Sequence, residues 1–281
     1  MRTSAVRRAL FAGLLGLLAP VLPLRAEPEP MPLQIFDAAL NKFEADRVAL
    51  RPWQYYQTLT THQLDASGKV VAKGTWQSIV RPGDPRPLEY VSKHVEGHIS
   101  FFEASAESSS GSKPAASPAA SPSAAAAKPS ESKTNQAEWA VEAVHKYNLR
   151  NRYEWKRLPD EVTAGEEAYV LSFTPKPNQN ASTREERFFG HLAGKIWVSQ
   201  RDFTILRAEG ALQAPASLFW VIARVTSFRF AYKAEPVHGG SRLLRLSKAN
   251  ATTVVSFPFY KVRQKHWQTV DKYEPRTPHS H

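Results

Sequence analysis

The run His94-Val-Glu96-Gly-His98 holds the side chains best suited to a metal. Alternate residues of a strand share a face, so His94, Glu96 and His98 would align. Two imidazoles and a carboxylate suit zinc. The spacing is not that of the helical His-Glu-x-x-His motif, because Glu96 lies between the histidines and no helix carries them. A polar outer strand face explains the trio more simply, and no metal is assigned. Gly190-His-Leu-Ala-Gly194-Lys195 has the outline of a phosphate loop. It is one residue short between its glycines, and Ile196 stands where a magnesium-binding Ser or Thr belongs. No G-x-S-x-G nucleophile elbow occurs. Glu185 and Glu186 are neighbours, so on an extended chain they point opposite ways; they are read with residues 177–184 as a solvated loop. Asp202 and Glu209 are read as a turn acid and a surface strand acid. The expectation is a non-enzymatic protein with no catalytic residue, no metal and no cofactor.

The first 26 residues place the protein. Arg2, Arg7 and Arg8 precede an apolar run from Ala9 to Leu22, and Leu24-Arg25-Ala26 ends on a small residue. That is the pattern of a secretory signal peptide. The run is shorter than the ~20 apolar residues a spanning helix needs. The expected product is an exported, soluble chain from residue 27 onward, located in the periplasm. No cysteine occurs anywhere. Thiol catalysis, Cys-ligated zinc, iron–sulfur clusters and acylation at a thiol are thereby excluded. An exported domain without disulfides must be held by burial of its core, which about 255 residues allow. A cysteine-free exported chain fits a bacterial envelope better than a eukaryotic secreted domain. Without its leader the chain carries 33 basic and 26 acidic residues, a net charge of +7. Export argues against nucleic acid, and anionic headgroups are the more natural partners of a basic surface in an envelope. The charges are scattered, as on an ordinary soluble surface.

Elements must position whatever the chain binds. Pro32 suits a first helical turn, and Phe36, Ala39, Leu40 and Phe43 recur at helical spacing until Pro52 ends the run. A second helix is expected from Gln136 to Arg150, with Trp139, Ala140, Ala143, Val144 and Tyr147 on one side. Between them, 25 of the 34 residues 104–137 are Ala, Ser or Pro. This stretch has no apolar periodicity to offset its ordering entropy and is read as a disordered insert in one domain spanning 27–281. The rest reads as antiparallel strands: Trp53–Leu64, Val70–Val80, Leu88–His98, Ala168–Thr174, Glu186–Ser199, Thr204–Gln213, Leu218–Ala234, Leu243–Ser256 and Tyr260–Tyr273. Asp202 and Gly239-Gly240 mark hairpin turns. Strands this long imply a strongly curved sheet.

In Leu218–Tyr232, Trp220, Ile222, Phe228, Phe230 and Tyr232 share one face, and Phe219, Val221, Ala223 and Val225 the other. Such a strand is either buried in a sandwich core, the commoner case, or lies between a helix and a cavity. Trp76, Trp197, Trp220, Ile222, Phe228 and Phe230 are the candidates to line an apolar, lipid-facing surface. Lys261, Arg263 and Lys265 alternate, so they give the last strand one basic face for headgroups or an acidic partner, or for solvent.

Tyr169-Val-Leu171-Ser-Phe173-Thr-Pro175 resembles the strand before the central hairpin of the outer-membrane lipoprotein-sorting (LolA/LolB-like) periplasmic carriers, and Gly194-Lys-Ile196-Trp197-Val198, Asp202 and Ile205-Leu-Arg207-Ala-Glu209-Gly210 resemble that hairpin. The helix, strand, turn and strand of residues 32–80 fit the same family. The resemblance implies an α+β fold: a long, curved antiparallel sheet, or half-open β-barrel, wrapped around about two helices. It also implies an apolar cavity that shields lipid or the acyl chains of lipoproteins during transfer to the outer membrane. The insert at 104–137 departs from the family. The alternative function is a protein-interaction or envelope-stress sensor domain on the same fold, with a membrane protein as partner. A monomer is expected.

Overall fold

The structure is a computed structural model that describes residues 29–84, 87–100, 142–219, 223–237 and 241–276. The expected leader, residues 1–26, and the expected insert at 104–137 lie outside these residues. Helix α1, Pro32–Ala49, starts where Pro32 needs no amide partner and where the Gln34 side chain accepts the Met31 amide at 2.8 Å. Strands β1 (Trp53–Leu64), β2 (Val70–Val80) and β3 (Leu88–Glu96) follow. Residues 142–146 are helical; Asn148, at φ 49°, turns the chain into the short helix α2, Leu149–Arg152. Then come β4 (Tyr153–Thr163), β5 (Glu166–Pro175), helix α3 (Arg184–Phe189), β6 (Leu192–Ser199), β7 (Ile205–Leu212), β8 (Ala216–Phe219), β9 (Ala223–Pro236), β10 (Arg245–Ser256) and β11 (Lys261–Pro275).

All eleven strands belong to one antiparallel sheet, ordered β3-β2-β1-β11-β10-β9-β7-β6-β5-β4, with β8 pairing β9 beside that path. The edges β3 and β4 do not meet, so this is the expected open, curved α+β half-barrel. Its halves are two meanders, and the seam between them is the pairing of the first strand with the last. One face carries α1. There Ile35, Phe36 and Ala39 pack with Ala143, Tyr147 and Leu149 against Leu171, Phe173, Ile196 and Val198 of β5 and β6. Ile35 is fully buried, so this helix fills the inner face of that half. Gly194 and Gly210 face each other across β6 and β7, under the rings of Phe173 and Phe230. A Cβ on Gly210 would lie 2.5 Å from Phe230 Cε1, and one on Gly194 2.7 Å from Phe173 Cζ, so neither position admits a side chain without displacement.

Two sequence expectations are corrected, and one strand is unforeseen. The strand expected over Glu186–Ser199 begins only at Leu192; before it Thr183 caps α3, its hydroxyl accepting the Glu186 amide at 3.1 Å. The Glu186 carboxylate in turn accepts the amides of Ser182 and Thr183. The long strand expected from Leu218 is two strands, because Phe219 pairs with Ala223. The strand β4 was not anticipated: its charges and Pro159 argue against a strand, yet it runs along the sheet edge, where proline is tolerated. Among the described residues no helix is long and apolar enough to cross a membrane.

Candidate functional site

Strand register decides which candidates meet. Phe230, Ala251, His266, Thr61 and Gly74 are successive partners across β9, β10, β11, β1 and β2. The parallel row is Phe228, Thr253, Gln264, Gln63 and Ala72. Both rows lie on the inner face, because Phe228 and Phe230 pack against the cluster that holds α1.

This inner surface has two apolar walls. One is an aromatic rim, half-buried, in which Phe228 meets Phe188 edge-on at 5.3 Å and Phe230 at 6.0 Å. The other is Trp76, packed with Ala72 and Ile99 and flanked by Leu59 and Val95. Between β9 and β2 there are four strand spacings, about 19 Å along the sheet at ~4.8 Å each. The floor between the walls combines Ala251 and Thr253 with polar groups that are hydrogen-bonded to each other or to the Ser100 backbone. Thr61 Oγ1 lies 2.9 Å from His266 Nδ1. Gln63 accepts the Ser100 amide at 2.8 Å, and Gln264 donates to the Ser100 carbonyl at 2.7 Å. Polar groups with partners make little demand for water. Burial holds the His266 imidazole below its ordinary pKa and so favours its neutral form.

The remaining candidates divide by face. Trp197 is almost fully buried, but on the outer face, with Ala168, Val170 and Leu206. Its indole donates to Glu161 at 2.8 Å, and the Arg207 guanidinium lies 4.2 Å over the ring. It does not join Trp76, Phe228 and Phe230. Trp220 and Ile222 lie outside the described residues. Lys265 is on the outer face, in the row Arg229, Thr252, Lys265, His62 and Lys73. Arg263 and Lys261 share that face two and four residues along, towards the β10–β11 loop. Exposed Trp267, beside His62 at 4.8 Å between ring centres, lies in the next row.

The groups considered for chemistry separate. His94 pairs with Glu96 at 2.9 Å on an exposed edge strand, and Gly97, at φ +77°, turns the chain before His98. Among the described residues no group of three or more potential metal-binding side chains occurs. Asp202, in the β6–β7 turn, belongs to an ionic cluster that sequence reading missed. Glu166 of β5 meets Arg242 at 3.0 Å and Arg245 at 3.4 Å, while Asp202 lies 3.7 and 3.9 Å from the same two arginines. Burial works against Asp202 ionising, but the Thr204 amide and hydroxyl and the two arginines outweigh it and hold its pKa below the usual value. The cluster ties together three hairpin ends and pairs both acids with both arginines, although Arg245 Nε and Nη1 are buried without a hydrogen-bond partner among the described residues; it reads as architecture.

An open groove of about 540 Å³ is lined by five residues, Lys195, Arg229, Ala193, Ala211 and Ala231, and also by Phe173 and Phe230 of the inner face. Register puts these five positions on the outer face.

No family model matches the chain, and no curated protein matches it. Solved structures do. A LolA superfamily protein from Nitrosomonas europaea is 12% identical, with 86% of this chain and 93% of that one covered and a TM-score of 0.34. A DUF1329 family protein from Desulfovibrio piger is 13% identical over 89% and 96%, with a TM-score of 0.33. The MucA/MucB complex of Pseudomonas aeruginosa matches at 10% identity over 86% and 99%, with a TM-score of 0.24. At such identities the likeness is one of fold.

Proposed function

We propose that this protein is a non-enzymatic binding protein of the bacterial periplasm that holds lipid, or the acyl chains of lipoproteins, against the inner face of its half-barrel. One observation carries the reading: the Phe188–Phe228–Phe230 rim stays half-buried although α1 has already filled the adjoining core. A second apolar wall at Trp76 stands across a floor whose polar groups are hydrogen-bonded. Each methylene moved from water to such a surface contributes about 0.8 kcal/mol, so an acyl chain binds without any directed chemistry.

The test is mass spectrometry of lipids extracted from the mature chain, purified from a bacterial periplasm without detergent. A stoichiometric acyl species is expected. Phe228→Asp should lose it while keeping a cooperative melt, and Phe188→Ser serves as the milder variant. A lipid-free wild-type protein with a cooperative melt would overturn the acyl-binding reading and favour the alternative, an envelope-stress or protein-interaction domain that binds a protein segment.

A further inference from the structure

The loop between β10 and β11 is Phe257-Pro258-Phe259-Tyr260, and its outermost side chain is aromatic. Phe259 is 97% exposed and Tyr260 58% exposed. The loop itself is firmly built. The Phe257 amide donates to the Tyr260 carbonyl at 2.8 Å, and the Phe257 and Tyr260 rings stack at 4.5 Å with 11° between their planes. Ser256 pairs with Lys261 directly below. A rigid hairpin thus holds a phenyl ring in water, where it gains nothing for the folded chain.

The surroundings are cationic. Lys261 and Arg224 both pair with Ser256 at the base of the tip, and Arg263 and Lys265 follow on the same outer face. The β1–β2 turn sits beside the tip, because Leu64 pairs with Arg263, and it brings Lys69 with the exposed Val70 and Val71. The described acids at this end are engaged. Asp65 accepts the amides of Ser67 and Lys69 within its own turn, and Glu96 pairs with His94. An exposed aromatic above a collar of cations that have no ion-pair partner among the described residues matches the chemistry of a bilayer interface with anionic lipids, where aromatic rings sit at headgroup depth and lysines and arginines meet phosphate.

We infer that the β10–β11 tip docks the protein on an anionic phospholipid membrane, with Phe259 inserted at the interface and Lys261, Arg263 and Arg224 on the headgroups. The strand face below, continuing through Lys265 and Arg229, extends the same field. This goes beyond acyl binding and does not rest on it, because the tip and the inner face are separate surfaces of the sheet.

The experiment is co-sedimentation of the mature chain with vesicles of phosphatidylcholine alone and of phosphatidylcholine with 30 mol% phosphatidylglycerol. Binding should require phosphatidylglycerol and weaken as salt is raised. Each cation near the surface strengthens binding about fivefold, or ~1 kcal/mol, so Lys261→Glu/Arg263→Glu should weaken it at least ~25-fold. Phe259→Ser should weaken it about tenfold at fixed salt without changing the melting temperature, because the ring touches solvent and not core. No binding to the anionic vesicles would overturn the inference. So would binding that Phe259→Ser leaves unchanged, which would reduce the effect to net charge. Lipid co-purified with the Phe259→Ser variant reports on the inner face alone, so docking and acyl binding can fail independently.

Discussion

Glu166 lets the ionic cluster be tested quantitatively. Replacing it with Ala removes the acceptor of Arg242 at 3.0 Å, of Arg245 at 3.4 Å and of the Ser199 hydroxyl at 2.9 Å. Ser199 is fully buried, and the Arg245 side chain is only 9% exposed, so neither group can turn to water. Removing one partner of a buried ion pair costs about 3–5 kcal/mol. Two features reduce this: Asp202 stays within 4 Å of both arginines, and Arg242 is 38% exposed and can rehydrate. The expected loss is about 2–3 kcal/mol, a fall of roughly 5–10 °C in Tm for a chain of this size. Urea unfolding followed by tryptophan fluorescence measures it directly. Asp202→Asn alone should cost less, because Glu166 then holds both arginines. The double variant should exceed the sum of the singles by about 1 kcal/mol, since each acid covers for the other's loss. A Glu166→Ala variant within 0.5 kcal/mol of wild type, or strict additivity, would refute the idea that the two acids share these arginines.

Two further perturbations separate other parts of the structure. Because burial lowers the His266 pKa, the folded chain binds fewer protons at this site than the unfolded chain. Its contribution to stability is therefore present above the unfolded pKa of about 6.5 and is lost as pH falls below that value through the lowered folded pKa; His266→Gln should flatten the change in urea midpoint between pH 7.5 and 5.5. Gly210→Val should destabilise by about 3 kcal/mol or more, through the clash with Phe230 and the Ala193 carbonyl. Gly68→Ala, at φ +88° but with nothing within 4 Å, should cost only about 1 kcal/mol on the same urea scale.

Where local signals agreed, the sequence was legible. The strands over Trp53–Leu64 and Val70–Val80 end where expected, because β-branched and aromatic residues stop at the turn around Gly68. The helix at Pro32 has its proline start and its apolar stripe. Helix α3 carries a local signal in the Thr183-x-x-Glu186 capping box, which the reading of these residues as loop and strand does not use. Strand β4 was not legible, since it borrows regularity from β5 rather than from its own composition. In the site, alternation correctly put Phe228 and Phe230 on one side. It could not put Trp197 on the opposite side of the sheet, because that depends on pairing with Val170 and Arg207 from other strands. Lys261, Arg263 and Lys265 are one face of one strand and could be read locally. The line from Arg229 through Lys265 to Lys73 exists only after four strands find their register.

The seam between the first and last strands also sets an order of events in folding. Thr61 and His266, hydrogen-bonded partners across β1 and β11, are 205 residues apart in the chain. A ribosome or a translocation channel delivers β1 long before β11, and until then β1 has β2 on one side and an unsatisfied row of amides and carbonyls on the other. Such an edge invites pairing with a foreign strand. Topology this non-local slows folding, since a large loop must close before any contact repays it. The chain is therefore most vulnerable to aggregation and proteolysis during its own synthesis, and a truncation before Lys261 would leave that vulnerability permanent. An excess of the isolated β11 segment, Lys261–Pro275, supplied in trans to the truncated chain would be the natural strand to complete it.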